Sequence, residues 1–286
     1  MQIHDRHGNA ILMFAPITRC FGHALGDPAC DDGQDWPRPP LNQFVISRQT
    51  NGFYGRILPA WRQVFPGDSF DFDYHLMWAV WQQLTDTHLA RVFYEDLGQL
   101  KTMGLDGIVS CQSFRAFYPS GLAMATLAEA LWDPTRPLDT IRHAHIEAAF
   151  GPDAEFADDY LQKSEAFLGT GDPHRRALPF SDATAETLAA CAAFLDLSLT
   201  ALETRQRASA DPARRLSLAL LINHARLLAQ IVASHQARLA GDREAAERAL
   251  DAAADLLRRT ERRFSPYIDT MLALRLSVEA HRESLS

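Results

Sequence analysis

The sequence predicts an α/β segment followed by an all-helical region, and three observations carry that reading. Residues 1–119 break into short apolar runs punctuated by Pro, Gly and Asp, whereas residues 120–286 are rich in Ala, Leu, Arg and Glu. The apolar period changes at about the same place, from the spacing of strands to that of helices. Within the first segment candidate strands alternate with candidate helices, the order expected of a parallel sheet crossed by helices.

The elements follow in order. Residues 10–16, AILMFAP, form a continuous apolar run suited to a strand buried on both faces, and Pro16 ends it. After a long polar connection, GFYGRILPAWRQVFPG reads as a helix leading into a second strand over residues 69–75. There SFDFDYH sets Phe70, Phe72 and Tyr74 on one side and Asp71, Asp73 and His75 on the other. The expectation is that Asp73 and His75 point into a ligand mouth while the aromatic side packs against helices, which makes Phe72 the folding residue and the polar pair the functional one. HLARVFYEDLGQLKTMG then places Leu89, Val92, Phe93, Leu100 and Met103 on one helical face and stops at Gly104, and residues 105–112, LDGIVSCQ, supply a third strand. In the second region Asp211-Pro212 and Ser265-Pro266 read as helix starts. Over residues 243–262, Ala246, Leu250, Ala253, Leu256 and Leu257 make an apolar stripe, with Glu244/Arg248 and Asp255/Arg259 as solvated i,i+4 pairs. Residues 169–182 are the expected hinge.

Composition narrows the function. A formal net charge of −8 argues against a nucleic-acid or anionic-membrane binder. The arginines at 258, 259, 262 and 263 cluster among acids on a helical pattern. Four scattered cysteines without a Cys-x-x-Cys pair fit a reducing compartment and no disulfide framework. The N-terminal residues lack a signal-peptide pattern and no run of about 18 apolar residues occurs, so the chain as given is expected in the cytoplasm. The common nucleotide, hydrolase and metalloprotease motifs are missing.

In parallel α/β folds functional groups gather where strands end. The first end offers Arg19, Cys20 and His23; the second Asp73, Tyr74, His75 and Trp78; the third Gln112, Ser113 and Arg115. Together they suit a hydroxyl-rich, acidic ligand: Arg for a carboxylate, Trp for the apolar side of a sugar ring. Each has a plainer alternative: Asp71 and Asp73 as loop braces, His75 as a core histidine, Trp78 and Trp81 as a helix face. Arg19, directly after a buried strand, needs a partner. Asp96, beside Glu95 and on the apolar stripe of its helix, is expected to pair with a backbone or basic group. His143 and His145 diverge on a helix, and the spacing of Cys20, His23, Asp27 and Cys30 matches no common zinc site, so no metal or other cofactor is expected.

The segments LMFAPITRCFGHALGDPAC, FDFDYHLMW, LARVFYEDLGQLKTMGLDGIVSCQSFRAFYPSGLA, LWDP and SPYIDTMLALR resemble the C-terminal half of an uncharacterised bacterial family of glycoside-hydrolase-like proteins, similar in plan to α-glucuronidases. The resemblance runs from about residue 10 to the end. It implies the last strands of a TIM-type (β/α) barrel over residues 1–119, a packed helical domain over 120–286, and chemistry on an acidic or plant-type glycan. It supplies no catalytic positions. A closed barrel needs eight strands and about 250 residues, so completing strands are expected from a missing half, a partner or a second copy. Asp73 and His75 are the catalytic candidates, and Arg19, Trp78, Gln112 and Arg115 the substrate contacts. Glycoside hydrolysis uses two carboxylates about 5–9.5 Å apart; Asp71 and Asp73, about 7 Å apart by strand rise, differ in depth, which favours a second carboxylate from outside the segment. The alternative is a non-catalytic helical interaction or scaffold protein that keeps a vestigial barrel edge.

Overall fold

A computed structural model of the chain describes residues 10–31, 50–111, 115–168, 178–180 and 182–284. Three strands, β1 (Leu12–Phe14), β2 (Ser69–Asp73) and β3 (Ile108–Ser110), form a parallel sheet in the order β1-β2-β3. The register pairs Phe14 with Asp71, and Asp71 in turn with Ile108. Helix α1 (Asn51–Val64) crosses from β1 to β2. A π-helical turn (His75–Ala79), α2 (Val80–Gln83) and α3 (Thr87–Gln99) cross from β2 to β3. Strands that advance in one direction through right-handed crossovers place their helices on one face. Phe53, Tyr54 and Leu58 of α1 and Leu97 of α3 accordingly share a buried cluster with Phe14, Leu100 and Leu105. No closed barrel forms among the described residues.

Three expectations are corrected here. The first strand is covered on one face only, since Met13 is 55% exposed and Val109 on β3 is 46% exposed. On β2 the parity is as expected and the burial is inverted: Ser69, Asp71 and Asp73 are buried, while Phe70, Phe72 and Tyr74 are half-buried. The acidic face is the one that meets the helices. His75 also lies beyond the strand, as the first residue of the π-helical turn.

The remainder is helical: α4 (Leu122–Trp132), α5 (Leu138–Phe150), α6 (Ala154–Leu168), α7 (Ala185–Ala208), α8 (Pro212–Leu239) and α9 (Arg243–Phe264), then α10 (Thr270–Ala273), a π-helical turn (Leu274–Glu279) and α11 (Ala280–Glu283). Asp211 caps α8 through the Ala213 amide at 2.8 Å, with Pro212 in the first turn. Ser265 is not a helix start; it closes α9, and Asp269 caps α10 instead. The α9 stripe is buried as expected, and Glu244 meets Arg248, but Asp255 pairs with Arg258 rather than Arg259. Both α7 and α8 are long and apolar enough to cross a membrane by composition; 67% of the apolar window of α8 and 28% of that of α7 is buried inside the protein. The expected hinge lies largely outside the described residues.

One apolar cluster runs through both regions. It joins Phe21, Leu76, Trp81 and Phe93 to Tyr118, Phe150, Tyr160, Leu228 and Val278. Trp81 stacks on Tyr118 with ring centroids 5.7 Å apart, so the seam between sheet and helices is itself core.

Candidate functional site

Four polar side chains meet behind the sheet, and all are buried: Arg19 after β1, Asp73 at the end of β2, His75 on the π-helical turn, and Asp96 on α3. Asp96 is the centre. Its Oδ2 accepts from Arg19 Nη2 at 2.7 Å and lies 2.8 Å from His75 Nε2, and its Oδ1 accepts the Leu25 amide at 2.5 Å. Asp73 Oδ2 stands further off, 3.4 Å from Arg19 Nη1 and 3.5 Å from His75 Nδ1, while its Oδ1 accepts the Tyr74 amide. The imidazole is fixed from both sides, stacked on Phe93 with centroids 4.1 Å apart and edge-on to Phe21.

Electrostatics explain why these charges tolerate burial. Desolvation alone would raise the Asp96 carboxyl, but the Arg19 charge and the His75 hydrogen bond outweigh it and hold it below its ordinary value. Desolvation likewise opposes the Arg19 charge, and Asp96 and Asp73 more than restore it. Asp71, deeper on β2, feels the Arg19 charge too weakly to offset its burial. Burial, with the Asp73 charge second, pushes its carboxyl up to about 9.

Of the expected site residues, the structure therefore brings Arg19, Asp73 and His75 together. Asp96, not named among the candidates, makes the closer contacts to both the arginine and the imidazole. Trp78 is half-buried and continues an aromatic row from the sheet: Phe72 to Tyr74 at 5.3 Å, Tyr74 to Trp78 at 6.2 Å. Arg115 does not join the cluster. Its guanidinium donates to Asp269 at 2.9 Å and its carbonyl accepts the Asp269 amide, tying the chain after β3 to the start of α10. Gln112 and Ser113 lie outside the described residues.

Two groups of donors are close enough to hold a cation. Asp73, His75 and Asp96 form one, but Arg19 already supplies its positive charge. Cys20, His23 and Cys30 form the other. Sequence spacing discounted this second group, because the turns that fold residues 20–30 back on themselves follow no regular period. Its signal was only the density of donors. Hydrogen bonding from Cys30 pulls the Cys20 thiol down to about 5, and the same contact pushes Cys30 up. Asp27 stays apart, its Oδ1 accepting the Ala29 amide at 2.8 Å. A surface groove of about 610 Å³ between α3, α4, α5 and α6 is lined by Arg91, Arg142, Gln162 and Glu165. Its arginines are taken by Glu165 and Asp158.

Comparison with protein-family models, curated proteins and solved structures finds no match to this chain.

Proposed function

We propose that the chain is a carbohydrate-directed, glycoside-hydrolase-like module in which the buried Arg19–Asp73–His75–Asp96 cluster frames the strand ends and a glycan or uronide is met on the other side of the sheet. The observation that carries this reading is the row Phe72, Tyr74 and Trp78, half-buried on and beyond the face that α1 and α3 leave uncovered. Aromatic faces at the C-terminal end of a parallel strand suit the apolar side of a sugar ring. The strand order, with both crossovers on one face, is also that of a slice of a (β/α) barrel. Asp73 and His75, without exposed surface, support the ligand side from behind in this arrangement. Calorimetric titration with uronate-containing and neutral oligosaccharides tests the reading, alongside hydrolysis of aryl-glycosides and uronides. Glycan binding that Trp78→Ala abolishes at an unchanged melting temperature is the expected result. Absence of binding by every glycan, or binding indifferent to Trp78→Ala, counts against it.

A second reading is favoured by a different observation. Ile11 just before β1, Met13 on β1 and Val109 on β3 are 60%, 55% and 46% exposed, an apolar display at the two sheet edges suited to further strands or a second copy. An assembly role without carbohydrate chemistry predicts association in light scattering, weakened by Met13→Lys and Val109→Lys. A stable monomer over a wide concentration range would argue against it.

A further inference from the structure

We propose that Cys20, His23 and Cys30 bind a thiophilic divalent transition metal, with zinc the ordinary occupant. This inference is independent of any glycan.

Geometry is the first support. The three donor atoms lie within 4.8 Å of one another, and Cys20 Sγ is 3.7 Å from His23 Nδ1. Tetrahedral zinc with bonds of about 2.3 Å to sulfur and about 2.0–2.1 Å to nitrogen needs a sulfur–nitrogen separation of about 3.6 Å. The loop therefore stands near its ligated shape, and ligation would draw it in only slightly.

A second support is the frame around the donors. Asn51, fully buried at the first turn of α1, grips the whole loop. Its Oδ1 accepts the Cys20 amide at 3.0 Å, its Nδ2 donates to the carbonyls of His23 and Ala24 at 3.0 and 2.8 Å, and its own amide donates to Cys30 Sγ at 3.3 Å. An amide aimed at a sulfur favours the thiolate that a metal requires, and outer contacts of this kind orient ligands for binding. A disulfide between Cys20 and Cys30 would use neither the His23 ring nor its placement. On binding, both thiols release their protons to solvent and His23 coordinates through Nδ1. Three protein donors fill three of the four tetrahedral positions. Arg19 Nη2 donates to the His23 carbonyl at 3.3 Å, so the metal loop also abuts the buried ion-pair cluster.

The test titrates Co(II) into the full chain after reduction and removal of metal by a chelator. One cobalt per chain is expected, with a thiolate-to-cobalt charge-transfer band and the visible bands of a tetrahedral ion, displaced by one equivalent of zinc. Cys20→Ser and His23→Ala should each weaken binding by more than the about 10–100-fold typical of outer-contact changes. Cys111→Ser and Cys191→Ser should leave it unchanged. Circular dichroism of the metal-free variants separates folding from ligation; His23 and Cys20 are both half-buried, whereas Cys30 is buried. Absence of the charge-transfer band in the unsubstituted chain, or its persistence in folded His23→Ala, overturns the proposal.

Discussion

Asp96 turns its carboxylate inward from α3 and meets a guanidinium, an imidazole and a backbone amide at once. Removing one charge from such a group leaves the others buried without compensation. Asp96→Asn is therefore expected to destabilise the fold by about 3–5 kcal/mol. Asp73→Asn should also destabilise it, because Arg19 loses one of its two carboxylate neighbours. Phe72→Ala, at a half-buried position, should cost less than the about 3–5 kcal/mol of a fully buried phenylalanine. Urea melts of the three variants give the order; Asp96→Asn melting with the unsubstituted chain would mean that Arg19 is balanced elsewhere. Much of this was legible in residue types. Arg19 needed a partner, Asp96 lay on an apolar stripe, and the alternation in SFDFDYH fixed which side chains share a face. Which face turns inward was not legible, because a period of two has parity but no sign, and the helices that decide it come from elsewhere in the chain.

At the scale of elements, the Asp211-Pro212 signal located the start of α8, Ser265-Pro266 misplaced the start of α10, and a neighbour's side chain caps α4. Gly121 precedes α4 with φ of +79° and offers no side chain to cap it. Asp86, buried just before α3, accepts instead from the Leu122 amide at 2.8 Å and the Ser120 hydroxyl at 2.9 Å. An ordinary cap such as Asp211 on α8 should cost about 1 kcal/mol on replacement by alanine. Asp86→Ala should cost more, up to about 3 kcal/mol, because the Leu122 amide and the Ser120 hydroxyl lose a buried acceptor. Thermal melts comparing Asp86→Ala with Asp211→Ala test the difference, and equal losses would show that Asp86 is not the cap that matters. No local pattern announces a cap supplied from 36 residues away. The π-helical turn at His75 was equally hidden, since HLMWA carries no residue that forbids a regular helix.

Across the whole molecule, buried titratable groups include His224, His235 and His281 in the helical core. His224 lies 2.7 Å from the Leu84 carbonyl through Nε2 and 2.8 Å from the Tyr160 hydroxyl through Nδ1. His235 and His281 contact each other at 3.0 Å. Burial lowers His224 and His235 from 6.5 to about 4 and His281 to about 3, with the Arg238 charge adding to the last two. The unfolded chain thus takes up these protons more readily than the folded one. Their contribution to stability is complete above about pH 6.5 and drains away as pH falls through 4 and towards 3. Melting temperatures between pH 7 and pH 4 should show the decline, and His224→Gln should make it shallower; an unchanged slope would exclude His224 as a source. The composition shift near residue 120 was readable, whereas the shared core across it was not, because contacts such as Arg115 with Asp269 span 154 residues.

The position of Trp81 gives the chain an optical gauge of its own. This indole is fully buried against Tyr118 at the seam, whereas Trp132 is 90% exposed and Trp61 48%. A dissolved quencher such as iodide reaches the outer indoles and silences their red-shifted emission. Among the described tryptophans, what remains comes from Trp81 in the dry interior, with Trp78 half-buried, and the blue colour of the Trp81 emission reports whether sheet and helices are still joined.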